Sequence, residues 1–293
     1  MKKYFTLFLY VSILFLIIAL IYGDFLHIPI IHSTWKIVFS LILLFLGFVF
    51  DALAWHKIIN RHGNSNVKLN DAIASMGLSI FGKYIPGKFW IILGRAGFLA
   101  KKYDLNEKDA AILSLNAQFL SLWVGLLLGG FGVLLIGNAA WYGLLGLALW
   151  LVLTFILFTR VPHKLSEGVF NRLFNKQISI PSLNFNSISA IIPWYFINWL
   201  LWIASFYFLV DALTITSVSP LVGFIFAIGG TIGLVVLFAP GGIGVREGVL
   251  FAFLILCGLE APVATSISIA SRLWFLTGEF FIFLLGLGLT RKT

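Results

Sequence analysis

The feature that most constrains this chain is a succession of apolar blocks, each about twenty residues long, running from residue 5 almost to the last residue. A helix of that length crosses the hydrocarbon core of a bilayer, about 30 Å thick. Lipid offers the backbone no hydrogen-bond partner, so a crossing segment must satisfy its own N–H and C=O groups, as a helix does. Composition agrees: 60% of residues are apolar, 11% are charged and the mean hydropathy is +1.04. A soluble domain carries about twice that charged share. The sequence therefore predicts an all-α polytopic membrane protein, a single integral membrane domain over residues 1–293.

Lys2 and Lys3 precede the first block, 5–22, which is longer than a signal-peptide core and lacks a small-x-small cleavage site. It reads as a retained span. Further spans are expected at about 37–54, 110–136, 141–158, 188–210, 221–238, 249–259 and 263–290, giving about eight transmembrane helices. The pieces 72–81 and 89–100 are each too short to cross alone, and basic residues flank both. Residues 71–100 are therefore predicted to form a re-entrant helical hairpin that dips in and returns on one side. Alternating the loops places both termini on one side, with every Lys and Arg except Lys36 and Arg272. That bias predicts a multi-pass protein of the plasma membrane with both termini cytoplasmic. It also accounts for the net charge of +9 without a nucleic-acid partner. The single cysteine, Cys257, excludes an internal disulfide and a thiolate metal cluster, and the five histidines show no metal-ligand spacing. No metal, no cofactor and no catalytic constellation is expected.

Residues 239–248 read A-P-G-G-I-G-V-R-E-G and interrupt apolar helix. Proline and glycine abandon helical hydrogen bonds there, and an Arg–Glu pair follows. One reading is a cytoplasmic turn between two spans. The other is a ligand site, because a helix restarting after glycines aims free N–H groups at an anion. A second break, G-K-Y-I-P-G-K at 82–88, echoes the first. Each has Pro–Gly followed by Arg-x-Gly, namely Arg95–Ala96–Gly97 and Arg246–Glu247–Gly248. Pro86 and Pro240 stand about half the chain apart, which suggests an internal two-fold repeat with halves 1–136 and 141–293. With both breaks on the cytoplasmic side, that repeat would be parallel; the alternative is coincidence, since Pro–Gly is a common turn. Arg272 and Glu279 lie within the last apolar block, where an unpaired charge costs about 2.5–3.5 kcal/mol. They share a helix face about 10 Å apart, so Arg246 and Glu247 are their expected partners, in a lattice that is either structural or substrate-contacting. Asp51, near the end of its span, is assigned to the membrane interface.

The P-G-G-I-G-V-R-E-G run, the upstream K-Y-I-P-G-K-F-W and the span count resemble the lysylphosphatidylglycerol synthase transmembrane family of flippase-like membrane proteins. The resemblance covers essentially the whole chain. It implies substrate-binding roles for Pro240, Gly241, Gly242, Gly244, Arg246, Glu247 and Gly248, with Pro86, Gly87 and Lys88 in second place. Bifunctional members join this region to a soluble aminoacyl-transferase domain, for which a chain ending at Thr293 leaves no room. The resemblance thus implies the lipid-translocating half. The expected function is transport of an anionic phospholipid or a polyprenyl-linked glycolipid, its phosphate contacted by Lys83, Lys88, Arg95 and Arg246, with Arg272 and Glu279 in the same site. The rivals are an intramembrane enzyme or enzyme subunit acting on a lipid headgroup, and a scaffold for a glycosyltransferase. The expected partners are the lipid and a membrane-associated transferase.

Overall fold

The computed structural model describes residues 30–62, 65–85, 89–158, 188–236 and 240–290. Among these residues the chain is helical throughout: α1 (Thr34–His62), α2 (Leu69–Ser79), α3 (Phe89–Tyr103), α4 (Glu107–Leu134), α5 (Ala140–Phe158), α6 (Ile192–Leu213), α7 (Val222–Val235), α8 (Val245–Leu256) and α9 (Ala261–Thr290). Short 3-10 turns at Ile80–Tyr84 and Pro240–Gly242 extend α2 and precede α8. Among the described residues five helices are long and apolar enough to cross a membrane: α1, α4, α5, α6 and α9. The predicted span at 5–22 lies outside the described residues.

The ends of these helices sort into two faces. His32, Asn138, residues 213–219 and residues 256–260 line one cavity of about 950 Å³, so the start of α1 and the ends of α4, α6 and α8 share a face. At the other face Lys102 pairs with Asp71 at 2.6 Å, while Tyr103 donates to Asp71 at 2.6 Å and accepts from the Lys68 N–H at 2.9 Å. These contacts close the mouth of the α2–α3 hairpin. Although desolvation raises the pKa of Asp71, the bonds from Lys102 and Tyr103 outweigh it and hold the carboxyl below its usual range.

Glycine sets how closely the helices approach. Gly77 lies against the Ile282 carbonyl and Gly286 against Ala74, so α2 runs antiparallel to α9 with almost no gap. Gly132, Gly129 and Gly125 face Phe224, Ile228 and Thr231 in turn, which locks α7 antiparallel to α4. On α1 and α6, Ser40 and Ser205 donate hydroxyl protons to each other's carbonyls at 2.7 and 2.5 Å.

This register corrects the span assignment. α7 has 14 residues and ends level with the middle of α4. α8, with 12 residues, returns along α7 through Gly229–Leu250 and Gly233–Arg246 contacts to the face from which α7 started. At about 1.5 Å per residue neither leg exceeds about 21 Å, short of a bilayer core. The stretches 221–238 and 249–259 are therefore two legs of a second re-entrant hairpin. Residues 240–244 form the tip between α7 and α8, so the break joins two short helices rather than two full-length spans. The α2–α3 and α7–α8 hairpins enter from opposite faces and meet tip to tip, an inverted rather than a parallel relation.

Candidate functional site

Where the tips meet, three cations and two carboxylates are packed between them. Arg272 lies about 17 Å along α9 from Ala261 and about 27 Å from Thr290, well inside the helix. Its Nη1 donates to the Gly241 carbonyl at 3.0 Å and stands 3.9 Å from Glu247 Oε1. Glu279, fully buried two turns further on, accepts from Lys83 Nζ and from the Tyr84 hydroxyl, the latter at 2.8 Å. Glu279 therefore serves the first hairpin and Arg272 the second. Arg246 donates from Nη2 to the Ser271 carbonyl at 3.2 Å, and its Nε is 3.6 Å from Glu247 Oε1. Phe226, Phe275 and Tyr84 supply ring faces about 5 Å from the guanidinium and ammonium groups.

The glycines explain how two tips can meet here. Gly241 and Gly242 have φ of 59° and 74°, and Gly244 has φ of 81°, backbone that side chains resist. A Cβ on Gly241 would meet the Tyr84 ring and come within 2.9 Å of Arg272 Nη2. One on Gly242 would press on the Gly233 backbone. Gly241 and Gly242 thereby allow tip-to-tip and leg-to-leg contact. The start of α8 is also occupied from within, because Glu247 accepts from the Gly244 N–H at 2.7 Å and places its own carboxylate at the positive end of the dipole.

The cluster is not self-sufficient. With Lys83, Arg246 and Arg272 set against Glu247 and Glu279, it carries one surplus positive charge. Among the described residues Arg246 Nε, Arg272 Nε and Nη2, and Glu247 Oε1 are buried without a hydrogen bond. Buried polar atoms are ordinarily satisfied, and charged ones are the costliest to leave. Beside the cluster lies a cavity of about 100 Å³, room for a few waters or a compact anion. Lys83, Arg246, Gly241, Asp51, Gln118 and Ser121 form the polar part of its wall, with Phe48, Trp202 and Phe275 as apolar surface.

The structure thus gathers Lys83, Gly241, Arg246, Glu247, Arg272 and Glu279. Of the expected cross-pairs, Arg272 does approach Glu247, but Glu279 is taken by Lys83 and Tyr84 instead of Arg246. Arg95 stands apart: it donates to the Ser114 hydroxyl and carbonyl at 3.0 and 2.7 Å and stacks on Trp55 at 4.2 Å. Gly244 and Gly248 are exposed on the far side of α8. Pro86, Gly87 and Lys88 lie outside the described residues, as does the side chain of Pro240. Sequence reasoning missed Tyr84, whose signal was a hydroxyl inside the break motif itself. It also sent Asp51 to the interface, whereas Asp51 lies eleven residues before the end of α1 and faces the cavity.

No curated protein and no solved structure matches the chain. The family model for the lysylphosphatidylglycerol synthase TM region matches residues 5–286, and both breaks, both hairpins and every residue of the ion cluster fall inside that range, so the chain belongs to this family.

Proposed function

We propose that this protein moves a lipid with an anionic, phosphate-bearing headgroup between the leaflets of the plasma membrane. The observation that supports this most directly is the surplus of buried cationic hydrogen-bond donors at the meeting point of two opposed half-depth hairpins. A phosphodiester brings one negative charge and acceptor oxygens, which would neutralise the surplus and engage the idle guanidinium edges. Lys83 and Arg246, on the cavity wall, are the residues that would reach it. Arg272 and Glu247 hold the tips in place around them. The basic face, with Lys57, Arg61, Lys68, Lys101, Lys102 and Lys108 at or near it, would be cytoplasmic. A transferase that modifies the headgroup is the partner this reading favours.

The test is reconstitution into liposomes with labelled phosphatidylglycerol, scored for both leaflet exchange and chemical change. Exchange is expected in wild type. Arg246→Lys keeps the charge but loses the planar fork, so it should retain less co-purified anionic lipid and slow exchange about tenfold. Chemical change without exchange would make the protein a headgroup-modifying enzyme. Exchange at the wild-type rate in Arg246→Lys would remove the phosphate from this cavity.

A further inference from the structure

Among the described residues, one charged group on the cavity wall belongs to no pair. Buried Asp71 holds Lys102 and Tyr103, Asp211 holds Lys36, Glu279 holds Lys83 and Tyr84, and Glu247 holds the Gly244 N–H. Asp51, in the interior of α1, makes no hydrogen bond and no ion pair with any described residue. Arg95 of α3 and Lys83 at the first hairpin tip are the cations whose fields reach it, and Tyr195 of α6 is the neighbouring phenol. Arg246 of α8 and the neutral Gln118 and Ser121 of α4 share the cavity wall with Asp51; α7 and α9 contribute no titratable group to that wall. Arg95 is engaged by Ser114 and Trp55, and Lys83 by Glu279. Asp51 is therefore a carboxyl turned toward a small cavity at half depth, with its cationic neighbours already committed.

A lipid phosphate drawn in by Lys83 and Arg246 would share that cavity of about 100 Å³ with Asp51. Two anions so confined repel, so the bound phosphate favours the neutral carboxyl. By reciprocity, a proton on Asp51 favours the bound phosphate to the same degree. We propose that Asp51 is a proton-binding site that couples lipid movement to proton movement. The carboxylate takes a proton from water on the side where the lipid anion enters, and returns it to water on the side where the lipid leaves. One proton travels with one phosphodiester, so no net charge crosses. This rests on the phosphate reading of the cavity, and gives it an energy source that needs no nucleotide.

Two measurements separate the inference from that reading. In vesicles of zwitterionic lipid with a trace of labelled phosphatidylglycerol, a pH difference of about one unit drives about tenfold accumulation in one leaflet, if one proton moves per lipid. Wild type and Asp51→Glu should show it; Asp51→Asn should show equal leaflets. Infrared spectra taken through a pH titration should contain a carboxyl C=O component that titrates in wild type and is missing in Asp51→Asn. Adding phosphatidylglycerol should move its midpoint upward. A full gradient response in Asp51→Asn, or a midpoint that does not move when the lipid is added, overturns the coupling. Failure of wild type to exchange lipid at all, with the midpoint still moving, removes the transport reading and leaves linked binding of proton and phosphate in place.

Discussion

The ion pair between Lys83 and Glu279 gives the sharpest test of how the two tips are held. Lys83 is 13% exposed and Glu279 is fully buried, so neither charge is solvated in the other's absence. Truncating one partner of such a pair costs about 3–5 kcal/mol, most of it the penalty on the charge left behind. Lys83→Met and Glu279→Leu should each destabilise the protein by that amount. For a chain of this size the unfolding midpoint then falls by about 6–20 °C. Removing both charges together is expected to be nearly neutral, since well-packed apolar residues replace buried ion pairs at little cost. One defect would remain in the double variant, because the Tyr84 hydroxyl loses its acceptor. A buried orphan donor costs about 1–3 kcal/mol, which adding Tyr84→Phe should remove. Unfolding of purified protein in detergent–lipid micelles, followed by the signal of its ten tryptophans, reads all four variants. Lipid exchange should be lost in every one. If the double variant is no more stable than the worse single variant, the charges do not act as a pair and the account of the tips is wrong.

Three other outcomes follow from the same structure. Gly77→Ala places a Cβ against the backbone carbonyl of Ile282 and should destabilise by about 1–3 kcal/mol, whereas Gly97→Ala, with open space around it, should stabilise α3 by up to about 1 kcal/mol; thermal unfolding of the two variants compares them directly. Burial pushes the Cys257 thiol up to about 11, so its alkylation should keep rising about tenfold for each pH unit up to about 10, whereas a profile that levels off near pH 9 would show the thiol to be freely solvated. In a Cys257→Ser background, Asn138→Cys and Ser217→Cys should label with an impermeant reagent on intact cells while Lys102→Cys should not. Labelling of all three would break the assignment of the two faces.

The class of fold was legible because a block of twenty apolar residues has few alternatives in lipid. The first hairpin was legible too, since 72–81 and 89–100 are too short to cross and basic on both flanks. The second hairpin escaped because 221–238 counts as long enough to cross; only its packing against α4 shows that helix ends at Val235. That error leaves the expected sidedness of the helix beyond it unchanged, because two crossings or none leave the next helix pointing the same way. The charged residues of the site were legible as anomalies in apolar surroundings, but their pairing was not. Lys83 and Glu279 lie on elements at opposite ends of the chain, and no periodicity connects them. Asp51 was misplaced because depth along a 29-residue helix cannot be judged without knowing where the membrane boundary cuts it.

The bond between Lys83 and Glu279 spans 196 residues, and this bears on how the protein is made. A ribosome adding about 5–20 residues per second emits Lys83 roughly 10–40 s before Glu279 exists. Through that interval the first hairpin has an ammonium group at its tip, no carboxylate to receive it, and no α9 against which Gly77 can seat. The hairpin therefore cannot settle at half depth when it is synthesised; it must wait near the aqueous face or be held by the insertion machinery until α9 arrives. The site is complete only once α9 has been made, and a nascent product that stalls before α9 displays an unpaired lysine by which membrane quality control can recognise it.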